Sequence, residues 1–297
     1  MMEGDQAAKL REMVGKIKQR ESTNGANKCS VYCVTSGKGG VGKTSFTVNF
    51  AIALSRHNKK VVILDADFGF SNVSIMLGAN SKYNMSHVLN GEKRLEEIME
   101  ECIPNVWHIS GGAGISDLVQ VDKDKLDEAM KQLVEVERFA DYIVIDTGAG
   151  MNSNVLKMME ASDVTILIMT SEPTSIVDSY VVLKTAALLG EKPEILTLIN
   201  KAESARDALN TFDSFSNVVS KHLMYDVKMM GYLPVDNRVT ESISSLVPHI
   251  LKYPSSLFSV KLQSIAGSVV DAAPLEEVKG GVLGFFGRFF GRIAKQS

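Results

Sequence analysis

Cysteine is scarce in this chain, three residues in 297, and that scarcity excludes a disulfide framework. Cys29 and Cys33 stand four apart, but no second pair completes a zinc site, and Cys33 lies inside an apolar run. The expectation is reduced structural thiols in the cytosol. An excess of one charge sign is also missing. The net charge of −3 gives no global basic field, so no direct nucleic-acid contact is expected. No stretch approaches the roughly 20 apolar residues of a membrane-spanning helix. The opening MMEGDQAAKLREM lacks the apolar core of a signal peptide, which makes a cytoplasmic location the expectation. Aromatics are only 7% of the chain, yet four of its twelve phenylalanines fall between Phe285 and Phe290. A chain end is usually frayed and polar, so those rings need a cover.

What is present is ordinary globular composition, 45% hydrophobic and 23% charged, at a length that suits one large α/β domain or two smaller ones. Residues 3–20 read as a short polar helix and ESTNGANK, 21–28, as a linker. Apolar runs then alternate with amphipathic stretches. SVYCVT (30–35), KVVILDAD (60–67), DYIVIDT (141–147), DVTILIMT (163–170), EILTLIN (194–200) and VKMMGYLP (227–234) read as strands. Helical stretches such as 45–57, 122–139 and 175–190 separate them, and 255–271 reads as a last core helix. Near-continuous Val/Ile/Leu strands joined by helices predict a mostly parallel sheet with helices on both faces. DAAPLEEVKGG, 271–281, gains Pro and Gly and reads as a tether.

SGKGGVGKTS, 36–45, follows the first strand and opens the first long helix. This is the phosphate-binding G-x-x-x-x-G-K-[ST] loop in its required strand–loop–helix setting. It assigns Gly37, Lys38, Gly39, Gly40, Val41, Gly42, Lys43, Thr44 and Ser45 to the phosphates of a nucleotide bound with Mg²⁺. Glycine lets backbone N–H groups wrap phosphates, and the helix N-terminus adds partial positive charge. Lys43 is expected to reach the β- and γ-phosphates and Thr44 to hold the metal. Two further strands end in acids, at Asp65 and Asp67 and at Asp146. Ligands collect at the C-terminal ends of parallel strands, where the loop also lies.

Lys38 is a second lysine within the loop, and K-G-G-V-G-K-T resembles the deviant Walker A signature of MinD/ParA-type ATPases. The resemblance spans about residues 30–270, and it implies a MinD-like P-loop NTPase fold and an ATP-dependent homodimer. In that family the extra lysine contacts nucleotide across the dimer, so Lys38 joins Lys43 and Asp67 as a catalytic candidate. Asp146 then corresponds to the Walker B acid. Asp65 matches a second carboxylate on the Mg²⁺ side, and Asp67 the switch I acid that positions the attacking water. Asn200 matches the amide that reads adenine, and Pro234, Val235 and Asp236 the loop that borders the base. IDTGAG (145–150) and SEPTSIVDSYVVLK (171–184) are similar to segments of the FlhG branch, which regulates flagellar number and placement. DQAAKLR, residues 5–11, resembles the element by which that branch activates its partner, the SRP-type GTPase FlhF. Asp5, Gln6, Ala7, Leu10 and Arg11 are thereby implied as partner contacts. Flagellar basal-body or regulatory proteins are implied as further partners.

In the tail, Val282, Leu283, Phe285, Phe286, Phe289, Phe290 and Ile293 share one broad helical face, and Arg288, Arg292 and Lys295 lie opposite. Bulky apolar residues against a basic face describe an interfacial helix for an anionic membrane. Burial of seven such side chains is worth on the order of 10–20 kcal/mol gross. Ordering the tail offsets much of this, so one tail binds marginally and two on a dimer bind better. The expected layout is a partner helix (1–20), a linker (21–29), the ATPase domain (30–271), a tether (272–281) and an amphipathic helix (282–297). The tether argues for a helix held off the core and reversibly peripheral on the inner membrane face. Two alternatives share the loop: a division or partition ATPase with other partners, and a small-molecule P-loop enzyme.

Overall fold

The computed structural model of the protein describes residues 29–67, 72–112, 123–188, 193–272 and 281–293. The N-terminal helix and most of its linker, residues 273–280 of the tether, and Lys295 lie outside the described residues. Eight strands form one sheet: β1 (Ser30–Thr35), β2 (Val61–Ala66), β3 (Glu100–Ile103), β4 (Val106–Ser110), β5 (Tyr142–Thr147), β6 (Val164–Met169), β7 (Glu194–Ala202) and β8 (Lys228–Pro234). Their spatial order is 3-4-2-5-1-6-7-8, and β3 at the edge runs antiparallel to β4. The other neighbouring pairs are parallel.

The helices in chain order are α1 (Lys43–Ser55), α2 (Asn72–Leu77), α3 (Met85–Leu89), α4 (Leu95–Ile98), α5 (Lys123–Phe139) and α6 (Ser153–Ala161). They continue as α7 (Pro173–Leu188), α8 (Ala205–Leu223), α9 (Arg238–Ser244), α10 (His249–Lys252), α11 (Leu257–Asp271) and α12 (Gly281–Ile293). Within β1, Tyr32 and Val34 face a core shared with α1, α2, α10 and α11, while Val31 and Cys33 face one shared with α3 to α8 and α12. Every residue of β2, β5 and β6 is buried, which is why their sequences read as unbroken apolar runs. Side-chain caps start several helices: Asn152 accepts from Val155 N, Ser204 from Asp207 N and Ser256 from Ser259 N.

The edge formed by β3 and β4 is absent from the sequence reading. EECI and VWHIS are short, and their polar and aromatic residues break the apolar pattern. His108 in β4 is fully buried, and its Nδ1 lies 3.2 Å from Ser81 Oγ. Burial lowers its pKa to about 4, against the opposing effect of Glu100. A histidine pKa below the unfolded value of about 6.5 gives stability that is present above that pH and lost as pH falls toward 4. Acidification from pH 7 to 4 is therefore expected to cost about 3 kcal/mol at this site. Thermal melts across that range are expected to be less acid-sensitive for His108→Gln than for the parent.

The C-terminal helix departs from expectation. Instead of standing off the core, α12 packs against β1, α5 and α6. Val282, Phe285, Phe286 and Phe289 are buried, and the rings of Phe285 and Phe289 stack at 5.9 Å. Arg288 is not on a solvated basic face. Its Nε donates to Ala161 O at 3.1 Å, capping the last turn of α6, and burial lowers its pKa. The physical reason is that a short tether restrains little, since closure entropy grows only as the logarithm of loop length. Each buried ring meanwhile contributes about 1.5–3 kcal/mol. Leu283, Phe290, Arg292 and Ile293 belong to the helix, and their side chains lie outside the described set.

Candidate functional site

The loop from Ser36 to Gly42 leaves β1 and enters α1 through two glycines with left-handed backbone, Gly40 (φ 77°) and Gly42 (φ 98°). Its shape is held from several sides. Ser36 Oγ donates to Lys38 O at 2.8 Å, and Gly150 N donates to Ser36 O at 3.2 Å. Asn200 Nδ2 donates to Val41 O at 2.7 Å and Lys201 Nζ to Gly40 O at 2.8 Å. A Cβ on Gly37 would run into the peptide joining Asp178 and Ser179, so α7 packs directly on the loop. A Cβ on Gly42 would sit 2.6 Å from Asn200 Nδ2. Left-handed backbone costs an L-residue about 1–2 kcal/mol. Gly42→Ala is thus expected to weaken nucleotide binding at least about tenfold, read by titration with a fluorescent ADP analogue.

Three acids converge below this loop. Asp65 and Asp146 are register partners across β2 and β5. Asp146 is fully buried and accepts from Thr44 Oγ1 at 2.7 Å and Thr47 Oγ1 at 2.9 Å. Burial raises its pKa to about 6, opposed by those two hydroxyls. Burial first, and Asp146 second, raise Asp65 to about 7. Asp65 Oδ1 accepts from Asp67 N at 3.1 Å, while its buried Oδ2 has no hydrogen-bond partner. A Cβ on Gly148 would lie 3.4 Å from Asp67 Oδ1, so Asp67 rests on the turn after β5. Lys43 is nearly buried, and desolvation lowers its pKa against the pull of Asp146 and Asp67. The carboxyl groups of Asp65 and Asp146, with the orphaned Asp65 Oδ2, and the Thr44 hydroxyl form a hard oxygen donor set, which fits Mg²⁺.

Lys38 is engaged within its own chain. Its Nζ donates to Glu172 Oε2 at 2.7 Å and Thr174 Oγ1 at 3.0 Å, and it holds the Glu172 carboxyl below its ordinary range. Val235 N donates to Ala202 O at 3.1 Å beyond β8, and Val235 is exposed. The Asp236 carboxylate is taken by Arg238, at 2.9 Å from Nε and 2.7 Å from Nη2. Thr47, Glu172, Thr174 and Lys201 are the site residues that sequence reasoning missed. The signal for Glu172 and Thr174 was their place just beyond the C-terminal end of β6, on the rim that carries the loop.

Residues 28–270 match the model of the ParA family, described as NUBPL iron-transfer P-loop NTPase. The chain belongs to the ParA family. It is an ATPase of MinD/ParA type, with ATP and Mg²⁺ as its ligands. It is similar to the antiactivator FleN of Pseudomonas aeruginosa, 29% identical, covering 86% of this chain and 91% of that protein. It is similar also to the flagellum site-determining protein YlxH of Helicobacter pylori, 28% identical, covering 96% of this chain and 97% of that one. The septum site-determining protein MinD from Pyrococcus horikoshii, solved with Mg-ADP, superposes with a TM-score of 0.65 at 25% identity, over 82% of this chain and 96% of that structure. Cys29 and Cys33 are both fully buried, and burial raises both thiols. Among the described residues no helix is long and apolar enough to cross a membrane.

Proposed function

We propose that the protein is an ATP-dependent switch that dimerises, associates with the membrane and controls flagellar number or placement together with an FlhF-type GTPase. The observation that carries the flagellar part is the similarity to FleN and YlxH over more than nine-tenths of each. In this reading Lys43 and the loop N–H groups hold the β- and γ-phosphates. Thr44, Asp65 and Asp146 hold Mg²⁺, which neutralises phosphate charge when bound. Asp67 orients the attacking water. Asn200 borders the base with Pro234, Val235 and Asp236. Lys38 leaves Glu172 and Thr174 to reach the nucleotide of a second copy. Asp5, Gln6, Ala7, Leu10 and Arg11 meet the GTPase.

The membrane part rests on α12. Val282, Phe285, Phe286 and Phe289 of its apolar face are already buried against the core, so their engagement with a membrane requires the helix to leave its groove. α6 links the two ends of this device. It starts directly after the Asp146–Gly150 turn, and its last carbonyl receives Arg288. Asp67→Ala is expected to slow hydrolysis and hold the ATP-bound dimer on lipid. Sedimentation with anionic liposomes checks this: the variant with ATP pellets in excess of the variant without nucleotide. Equal pelleting in both conditions would sink the switch.

A further inference from the structure

We propose that the groove between α4, β4 and the end of α5 is the docking site of the chain's own N-terminal segment. The groove encloses about 300 Å³. Leu95 and Val136 are buried in its floor, and Met99, Trp107 and Phe139 are half-buried in its walls. Trp107 and Phe139 meet edge to face at 4.5 Å, and Lys60 Nζ lies 4.6 Å from the Phe139 centroid. The C-terminal helix is seated elsewhere, on β1, α5 and α6.

Reach, pattern and charge all favour the N-terminal segment as occupant. Ser30, Tyr142, Val61 and Val106 form one register row, so β1 begins at the same end of the parallel strands as β4. Three strand spacings separate them, about 14 Å. Trp107 is the second residue of β4 and Phe139 the last of α5, so the groove opens at that end of the strands. The eight residues 21–28 span up to about 26–29 Å when extended, more than the distance required. Ala7, Leu10, Val14 and Ile17 follow a three- and four-residue spacing that puts them on one helical face. A helix this short is marginal without a surface to pack on. Residues 1–20 carry five bases (Lys9, Arg11, Lys16, Lys18, Arg20) against three acids (Glu3, Asp5, Glu12). The groove's own charged lining is Glu96 and Glu135 against Arg94, which pairs with Glu96 at 3.3 Å, and Glu135 is exposed.

Resting on the partner reading above, this docking hides the face that meets the GTPase, so the docked and partner-bound states exclude each other. Trp107 is the single tryptophan of the chain and reports the groove directly. The test compares Trp107 emission and iodide quenching in the full chain and in its Leu10→Asp/Val14→Asp variant. Loss of two buried apolar contacts lowers the docked population more than about tenfold. Emission is therefore expected to shift to the red and quenching to rise. A peptide of residues 1–20 added to the variant is expected to reverse both. Superimposable spectra and quenching for the two proteins, or no response to the peptide, overturn the proposal. A difference that vanishes on dilution also overturns it, by assigning the groove to a second copy. GTPase stimulation by the same peptide is a separate readout, so failure here and failure of the partner reading are distinguishable.

Discussion

Lys43→Ala is expected to lower ATP turnover at least about a hundredfold, the scale of losing one preorganised charge at a phosphoryl-transfer centre. The side chain is nearly buried in α1, with Asp146 and Asp67 as its nearest acids. Its pKa is lowered on balance, so the charged amine is held at a net cost in the nucleotide-free protein. Removing it therefore does not unfold the domain. What it removes is the counter-charge that lowers the Asp146 pKa, so Asp146 moves further up from about 6 and holds a cation less well. The signature of this variant is a near-parental melting temperature, weak stabilisation by Mg·ADP and loss of hydrolysis. A large drop in melting temperature without nucleotide would instead assign Lys43 a structural role. Calorimetry and a coupled ATPase assay on the same preparation separate the two.

Arg288→Ala and the Phe285→Asp/Phe289→Asp pair are expected to move membrane binding in opposite directions. Arg288 ties α12 to the end of α6 through Ala161 O; burial lowers its pKa, and Asp163 and Glu160 nearby oppose that. Losing a buried charged hydrogen bond costs about 1.5–3 kcal/mol. The undocked tail becomes roughly ten to a hundred times more populated. Loss of one cation weakens lipid attraction by only about 1 kcal/mol. Arg288→Ala thus raises liposome pelleting without nucleotide. The aspartate pair also expels the helix, because two carboxylates cannot enter an apolar groove without pairing. It also destroys the apolar surface that the proposed switch presents to lipid, so pelleting is lost with or without ATP. Proteolysis at the tail is expected to quicken in both variants. If neither variant changes membrane binding, α12 is a structural helix and the tail has no part in a switch.

The phosphate loop was legible because it is local. Ten consecutive residues carry the glycines, the lysines and the hydroxyls, and one strand and one helix aim them. The parallel strands were legible because burial on both faces leaves unbroken apolar runs. Asp65, Asp67 and Asp146 stood out because strand ends gather at one rim. The short edge strands were not legible, since EECI and VWHIS carry no such run.

Contacts between distant parts of the chain had no local signal. Lys38 meets Glu172 across 134 residues, and Arg288 meets Ala161 across 127. The spacing of Phe285, Phe286 and Phe289 announced an apolar face and left open whether lipid, a partner or the chain's own core covers it. Residue spacing carries the face of a helix, because backbone geometry repeats every 3.6 residues. What that face meets depends on which strands and helices come together, and a gap over β1 between α5 and α6 exists only once they have.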